Sequence, residues 1–162
     1  MELNDRYEAR KEEMFAILGR IVWQCAWIES GLRSIIAVQE GITEPVEAAK
    51  KFGNYSGKDL IIRAADFIST QGDETAKNDA QYLRSISWIF DDRNDYVHGI
   101  HWVGLNWSRL RVKKQPPYVS ESEVSFEQMK AFYKSLDEIS DEIAAMRFFR
   151  GLLPDGFGFQ NY

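Results

Sequence analysis

Met14, Ile17, Leu18, Ile21, Cys25, Ile28, Leu32 and Ile35 recur at steps of three and four. A helix turns once every ~3.6 residues, so this spacing gathers all of them on one face. The stripe predicts a single long helix from about Asp5 to Glu40, with Gly41 as its stop. A helix that is apolar along one side must bury that side against other elements, and the rest of the chain has to supply them.

It does so with further helical periodicity. The stretch "ITEPVEAAKKFGNYSG" reads as a connector with a short helix after Pro45. From Lys58 to Gln71, the residues Leu60, Ile61, Ala64, Phe67 and Ile68 share one side. "QGDET" then breaks the chain, and a helix capped by Asp73 or Thr75 follows. Its stripe is Leu83, Ile86, Phe90, position 93 and Val97, and Gly99 suits its C-terminal stop. The last helix starts near Ser125, where Ser125 and Gln128 fit a capping box. Met129, Phe132, Leu136, Ile139, Ile143 and Met146 form its stripe.

Between these helices the period changes. Residues 100–125 contain short β-prone pieces, the alternating "RLRV" and Pro116-Pro117, and read as a β-hairpin or arm. The tail "GLLPDGFGFQNY" is too rich in glycine for a helix. The expectation is therefore an all-α bundle of four or five helices with a short β-hairpin or arm inserted before the last helix. It forms a single domain over residues 1–150, followed by a tail at 151–162.

The 162 residues suffice for one domain with a real core, and the formal net charge of -5 gives no general support to nucleic-acid binding. Any such site must be a local basic patch. Cys25 is the single cysteine, which excludes a disulfide within the chain and makes a structural zinc site a poor fit. The charged N-terminus shows no signal peptide, and no apolar run is long enough to span a membrane. The reading is a soluble cytoplasmic protein with no expected cofactor.

The stretch "FDDRNDYVHGIHW" carries both histidines, His98 and His101, beside Asp91, Asp92, Arg93, Asn94 and Asp95. The helical stripe asks for an apolar residue at position 93, and the chain places Arg93 there. Asn94 and His98 are four apart and share a face. Arg93 lies about 100° round from Asn94. His98 falls in the last turn, where the helix dipole favours an imidazolium. A fixed cation, an amide and a titratable acid/base in one small volume suit chemistry at a phosphodiester. Arginine neutralises charge that builds up at phosphorus, and histidine moves protons near neutral pH.

"RNDYVH" (Arg93 to His98) resembles the R-x4-6-H motif of the HEPN superfamily, the higher eukaryotes and prokaryotes nucleotide-binding domain. The resemblance implies a four-to-five-helix bundle with the motif at the end of a late helix. It also implies a metal-independent endoribonuclease that works as a homodimer on an RNA substrate, as a toxin or phage-defence component with an antitoxin or regulatory protein as partner. In that reading Arg93 stabilises the phosphorane-like state, His98 transfers a proton, and Asn94 orients the phosphate or His98. "WIESGL" is similar to the family's first helix, which makes Glu29 the counterpart of an acidic residue that approaches the site. Asp92, Asp95 and His101 are supporting candidates. "RLRVKK", with Arg109, Arg111, Lys113 and Lys114, is the one basic cluster and the candidate contact for an RNA backbone. Trp102 and Trp107 are candidates for base stacking.

Each of these residues has a plainer reading. Arg93 would also serve as an ion-pair partner of Asp92, Asp95 or Glu29. His98 would serve as a C-terminal cap, and Trp102 and Trp107 as hairpin core. Asp91, Asp95, His98 and His101 would make a metal site only if the helix continued through Gly99. A non-catalytic HEPN-like module that binds RNA, a nucleotide or a protein partner remains the alternative to the enzyme, and a purely structural dimerisation domain is a third reading.

Overall fold

The computed structural model describes the backbone of residues 3–103, 106–112 and 119–152, and the side chains of residues 8–99 and 124–152. The architecture is an all-α helical bundle. In chain order the helices are α1 (Leu3–Gln39), α2 (Pro45–Phe52), α3 (Gly57–Ser69), α4 (Glu74–Ser85), α5 (Trp88–Gly99) and α6 (Phe126–Phe149). Between α5 and α6 the backbone pairs as three antiparallel strands, β1 (Ile100–Val103), β2 (Asn106–Val112) and β3 (Val119–Glu123), in the order β1-β2-β3. Among the described residues no helix is long and apolar enough to cross a membrane.

The helix ends follow from local chemistry. After α1, Gly41 adopts φ 67, and the Ile42 N–H donates to the Ala37 carbonyl at 2.9 Å, which closes the helix in a left-handed cap. Ser56 and Asp59 form a reciprocal capping box at the start of α3. Asp73, not Thr75, caps α4 by accepting the Ala76 N–H at 2.6 Å. At α6 the Ser125 hydroxyl accepts the Gln128 N–H at 3.1 Å, and the Gln128 amide oxygen accepts the Ser125 N–H at 2.9 Å.

One helix read from the sequence is two. At residues 86–87 the chain turns between α4 and α5. At this point the Ser85 hydroxyl donates to the Tyr82 carbonyl at 2.7 Å, the acceptor that the Ile86 N–H would use in a continuing α-helix. The Ile86 N–H donates to Leu83 at 3.3 Å instead, and the Ile89 N–H to Ile86 at 3.1 Å. Among the described residues this break leaves six helical segments in the all-α bundle that the sequence predicts.

The chain divides into two compact units, each built from two separated stretches. The first comprises Met1–Cys25 and Asp91–Asp137. Its core includes Met14, Ile17, Ile21 and Cys25 from α1, Tyr96 from α5, and Met129, Phe132 and Leu136 from α6, all buried. The second comprises Ala26–Phe90 and Glu138–Tyr162. There Ile28, Leu32 and Ile35 of α1, Leu60, Ile61 and Ile68 of α3, and Ile139 and Ile143 of α6 are buried. Gly31 lets α1 and α6 approach closely: a Cβ at that position would sit 3.0 Å from an Ile143 methyl. Gly57 is required more strictly, because a Cβ there would overlap the Phe90 ring. Arg150, past the end of α6, ties this unit together. Its Nε donates to Asp79 at 2.5 Å, and its Nη1 donates to Gln71 at 2.7 Å and lies 3.6 Å from Asp73.

Candidate functional site

The motif occupies α5. Ile89 and Phe90 are buried near its start and Tyr96 near its end. Arg93 stands four residues after Ile89 and three before Tyr96, so it shares their face at ~3.6 residues per turn. Arg93 is half-buried, and its Nε is shielded from solvent. The apolar-stripe slot at position 93 is thus real, but its neighbour is Tyr96 (7% exposed), not Val97, which is 38% exposed. The restart of the helix after residue 87 sets this phase.

The opposite side of α5 is polar. Asp91, Asn94 and His98 are exposed and follow at steps of three and four, which makes them one face. His98 lies in the last turn, and the helix ends at Gly99. Asp92 and Asp95 are half-buried, and Asp91, Asp92, Arg93 and Asp95 all engage other groups. The arrangement offers a half-sequestered guanidinium at Arg93, with a solvent-facing amide one residue on and a solvent-facing imidazole five residues on. Chemically, this permits anion neutralisation by Arg93 and proton exchange with solvent or substrate at His98.

A ring contact joins α5 to α6 in their shared unit. Tyr96 stacks on Phe132 of α6, with centroids 5.0 Å apart and planes at 28°. The buried tyrosine between Arg93 and His98 therefore contributes to the rotational setting of the motif about the helix axis.

The other sequence candidates are on other elements of the chain. Glu29 belongs to the second unit, where its carboxylate accepts a hydrogen bond from Arg33 Nη2 at 3.0 Å. His101 is in β1, opposite Ser108 of β2, and so is not on the helical face of His98. Trp102 and Trp107 are cross-strand neighbours in the β1–β2 register. Arg109 and Arg111 are two apart on β2, opposite Ser122 and Ser120 of β3. The side chains of these strand residues, and Lys113 and Lys114 altogether, lie outside the described residues.

Two features were not singled out from the sequence. Arg147 of α6 is 8% exposed, and burial lowers the pKa of its guanidinium. Its position on the margin of an ordinary amphipathic stripe carried no signal. The second unit also contains a cleft of about 570 Å³ lined by Asp73, Asp79, Tyr82, Glu142, Phe149 and Arg150, among others. Burial, with Glu142 and Glu138 nearby, raises the pKa of Tyr82. Asp73 and Asp79 are already engaged by Arg150. No protein-family model, no curated protein and no solved structure matches the chain.

Proposed function

We propose that the chain is a metal-independent endoribonuclease of HEPN type that acts as a homodimer. The observation that carries this reading is Arg93: a guanidinium in an apolar slot of α5, held half-buried one residue before the exposed Asn94 and five before the exposed His98. A helix built for stability alone would place Leu or Ile in that slot.

The reaction follows from what these groups can do. The RNA 2′-hydroxyl attacks the adjacent phosphate. One His98 accepts the hydroxyl proton or donates one to the departing 5′-oxygen, and Arg93 stabilises the charge on the phosphorane-like state. Asn94 holds the phosphate or the imidazole in position. The products are a 2′,3′-cyclic phosphate and a 5′-hydroxyl. In-line cleavage gains from a base and an acid together, and each chain brings one motif histidine, so a twofold dimer supplies the pair.

The test is incubation of the purified protein with mixed RNAs in EDTA, followed by end-group analysis. Cyclic phosphate and 5′-hydroxyl ends support the reading. Cleavage that requires an added divalent ion would contradict it. The net charge of -5 favours a second reading, a non-catalytic HEPN-like module that binds RNA, a nucleotide or a protein partner. Binding to RNA without any new ends would select it.

A further inference from the structure

The N-terminal part of α1 has two apolar faces, and the core of its unit uses one of them. Met14, Ile17, Ile21 and Cys25 are buried. On the other side, Phe15 is 57%, Val22 43% and Trp23 61% exposed. Phe15, Gly19 and Val22, and likewise Ala16, Gly19 and Trp23, follow at steps of three and four, so these five residues form one continuous outward face. Gly19 lies at its middle. A Cβ at Gly19 would meet nothing within 4 Å. Glycine weakens a helix relative to alanine, and the surroundings of Gly19 give no steric reason to keep it.

We infer that this outer face of α1 is where a second copy of the chain docks, with Trp23 of each copy seated over Gly19 of the other. A missing side chain one turn before an exposed indole is a self-complementary pair. If two α1 helices cross antiparallel about a twofold axis near position 21, residues equidistant from the axis face each other, which places position 19 opposite position 23. The areas agree with this occupant. Aromatic side chains bury ~150–250 Å² each, so the exposed parts of Phe15, Val22 and Trp23 amount to roughly 300 Å² per copy. A standard interface takes about 800 Å² per partner, a little over half of it apolar. These three side chains thus supply most of one apolar centre, and exposed polar neighbours such as Glu12 and Arg20 suit the rim.

The inference rests on the dimeric nuclease reading and specifies its interface. The α1 segment and the Arg93–His98 motif belong to the same compact unit. Pairing of α1 therefore carries two copies of the motif into one assembly.

The experiment measures the mass of the full chain by light scattering across micromolar concentrations, for the parent and for Trp23→Gln, Gly19→Gln and Val46→Gln. Val46 of α2 is 65% exposed and serves as an apolar control elsewhere. The parent is expected to be dimeric. Trp23→Gln should weaken dimerisation by about 30-fold or more, as removal of a central aromatic anchor does. Gly19→Gln should weaken it comparably while its melting temperature holds or rises, which separates loss of the notch from loss of the fold. Val46→Gln should remain dimeric. A parent that is monomeric throughout, or a dimer unchanged by both α1 substitutions, overturns the proposal. RNA cleavage measured on the same samples separates the two readings. A dimer that Trp23→Gln dissolves but that never cleaves RNA keeps the interface and discards the nuclease. A monomer that cleaves RNA does the opposite.

Discussion

The Tyr96 ring lies on the Phe132 ring at 5.0 Å, and this contact joins the motif helix α5 to α6 within one compact unit. Tyr96 is 7% and Phe132 6% exposed, so the stack belongs to the core and not to the surface. Three residues before Tyr96 stands Arg93, and two residues after it stands His98. The orientation of both depends on how firmly this ring pair holds.

Phe132→Ala should therefore destabilise the first unit by about 3 kcal/mol, the lower end of the range for a phenylalanine removed from a core. Chemical denaturation would measure it. Phe132→Leu should cost less because it keeps most of the volume. If Phe132→Ala unfolds with the parental midpoint, the stack contributes nothing to holding α5.

Gly57→Ala should cost about 1–3 kcal/mol by overpacking, since its new methyl group would overlap the Phe90 ring. The second substitution Phe90→Leu should restore part of that loss. A double-mutant cycle on thermal or denaturant unfolding checks the coupling.

Arg150→Ala should lower stability by about 2 kcal/mol, the size of charge-assisted hydrogen bonds in a partly buried place. It strips Asp79 and Gln71 of a shared donor. The loss should appear in a unit that does not contain Arg93 or His98, so turnover by the folded protein should stay near the parental rate.

Asp73 gives a dependence on pH. The hydrogen bond from the Ala76 N–H, helped by Arg150, holds its pKa below the ordinary value of 3.8. A carboxylate whose folded pKa is depressed contributes stability that is fully present above its unfolded pKa and is lost as pH falls through the folded one. Asp59, held down by the Ser56 hydroxyl and N–H, acts in the same direction. Asp73→Asn should therefore lower stability at neutral pH and flatten its fall below pH 3.8. Unfolding curves at neutral and acid pH compare the two proteins.

Much of the fold was legible because long helices repeat a simple rule. Every residue of the Met129-to-Met146 stripe is buried, and so are Met14, Ile17, Ile21, Cys25, Ile28, Leu32 and Ile35. Only Leu18 of the α1 stripe is half-exposed. The caps at Asp73 and Ser125 were readable because they use short-range hydrogen bonds. The break at 86–87 was not, since Ile86 and Phe90 on either side of it still fit one apolar stripe and no glycine or proline marks the turn. That break moved the buried partner of Arg93 from Val97 to Tyr96. Contacts of Arg150 with Gln71 and Asp79, separated from it by 79 and 71 positions, leave no periodic trace. The outward α1 face escaped because Ala16, Gly19 and Arg20 dilute it, and the stronger inward stripe of the same helix accounts for the segment without it. The candidate site was read from residue type and spacing, with Arg93 in an apolar slot and Asn94 and His98 four apart.

The most direct test of the catalytic assignment compares melting temperature and RNA cleavage rate, side by side, for the parent, Arg93→Ala and His98→Ala. A catalytic pair stabilises charge that exists only at the transition state, so each substitution should cut cleavage by about 100-fold or more and leave the bundle folded. His98 is exposed, and its removal should hardly change the melting temperature. An Arg93→Ala protein that melts several degrees lower yet cleaves RNA at the parental rate would contradict the account and make the motif a structural one.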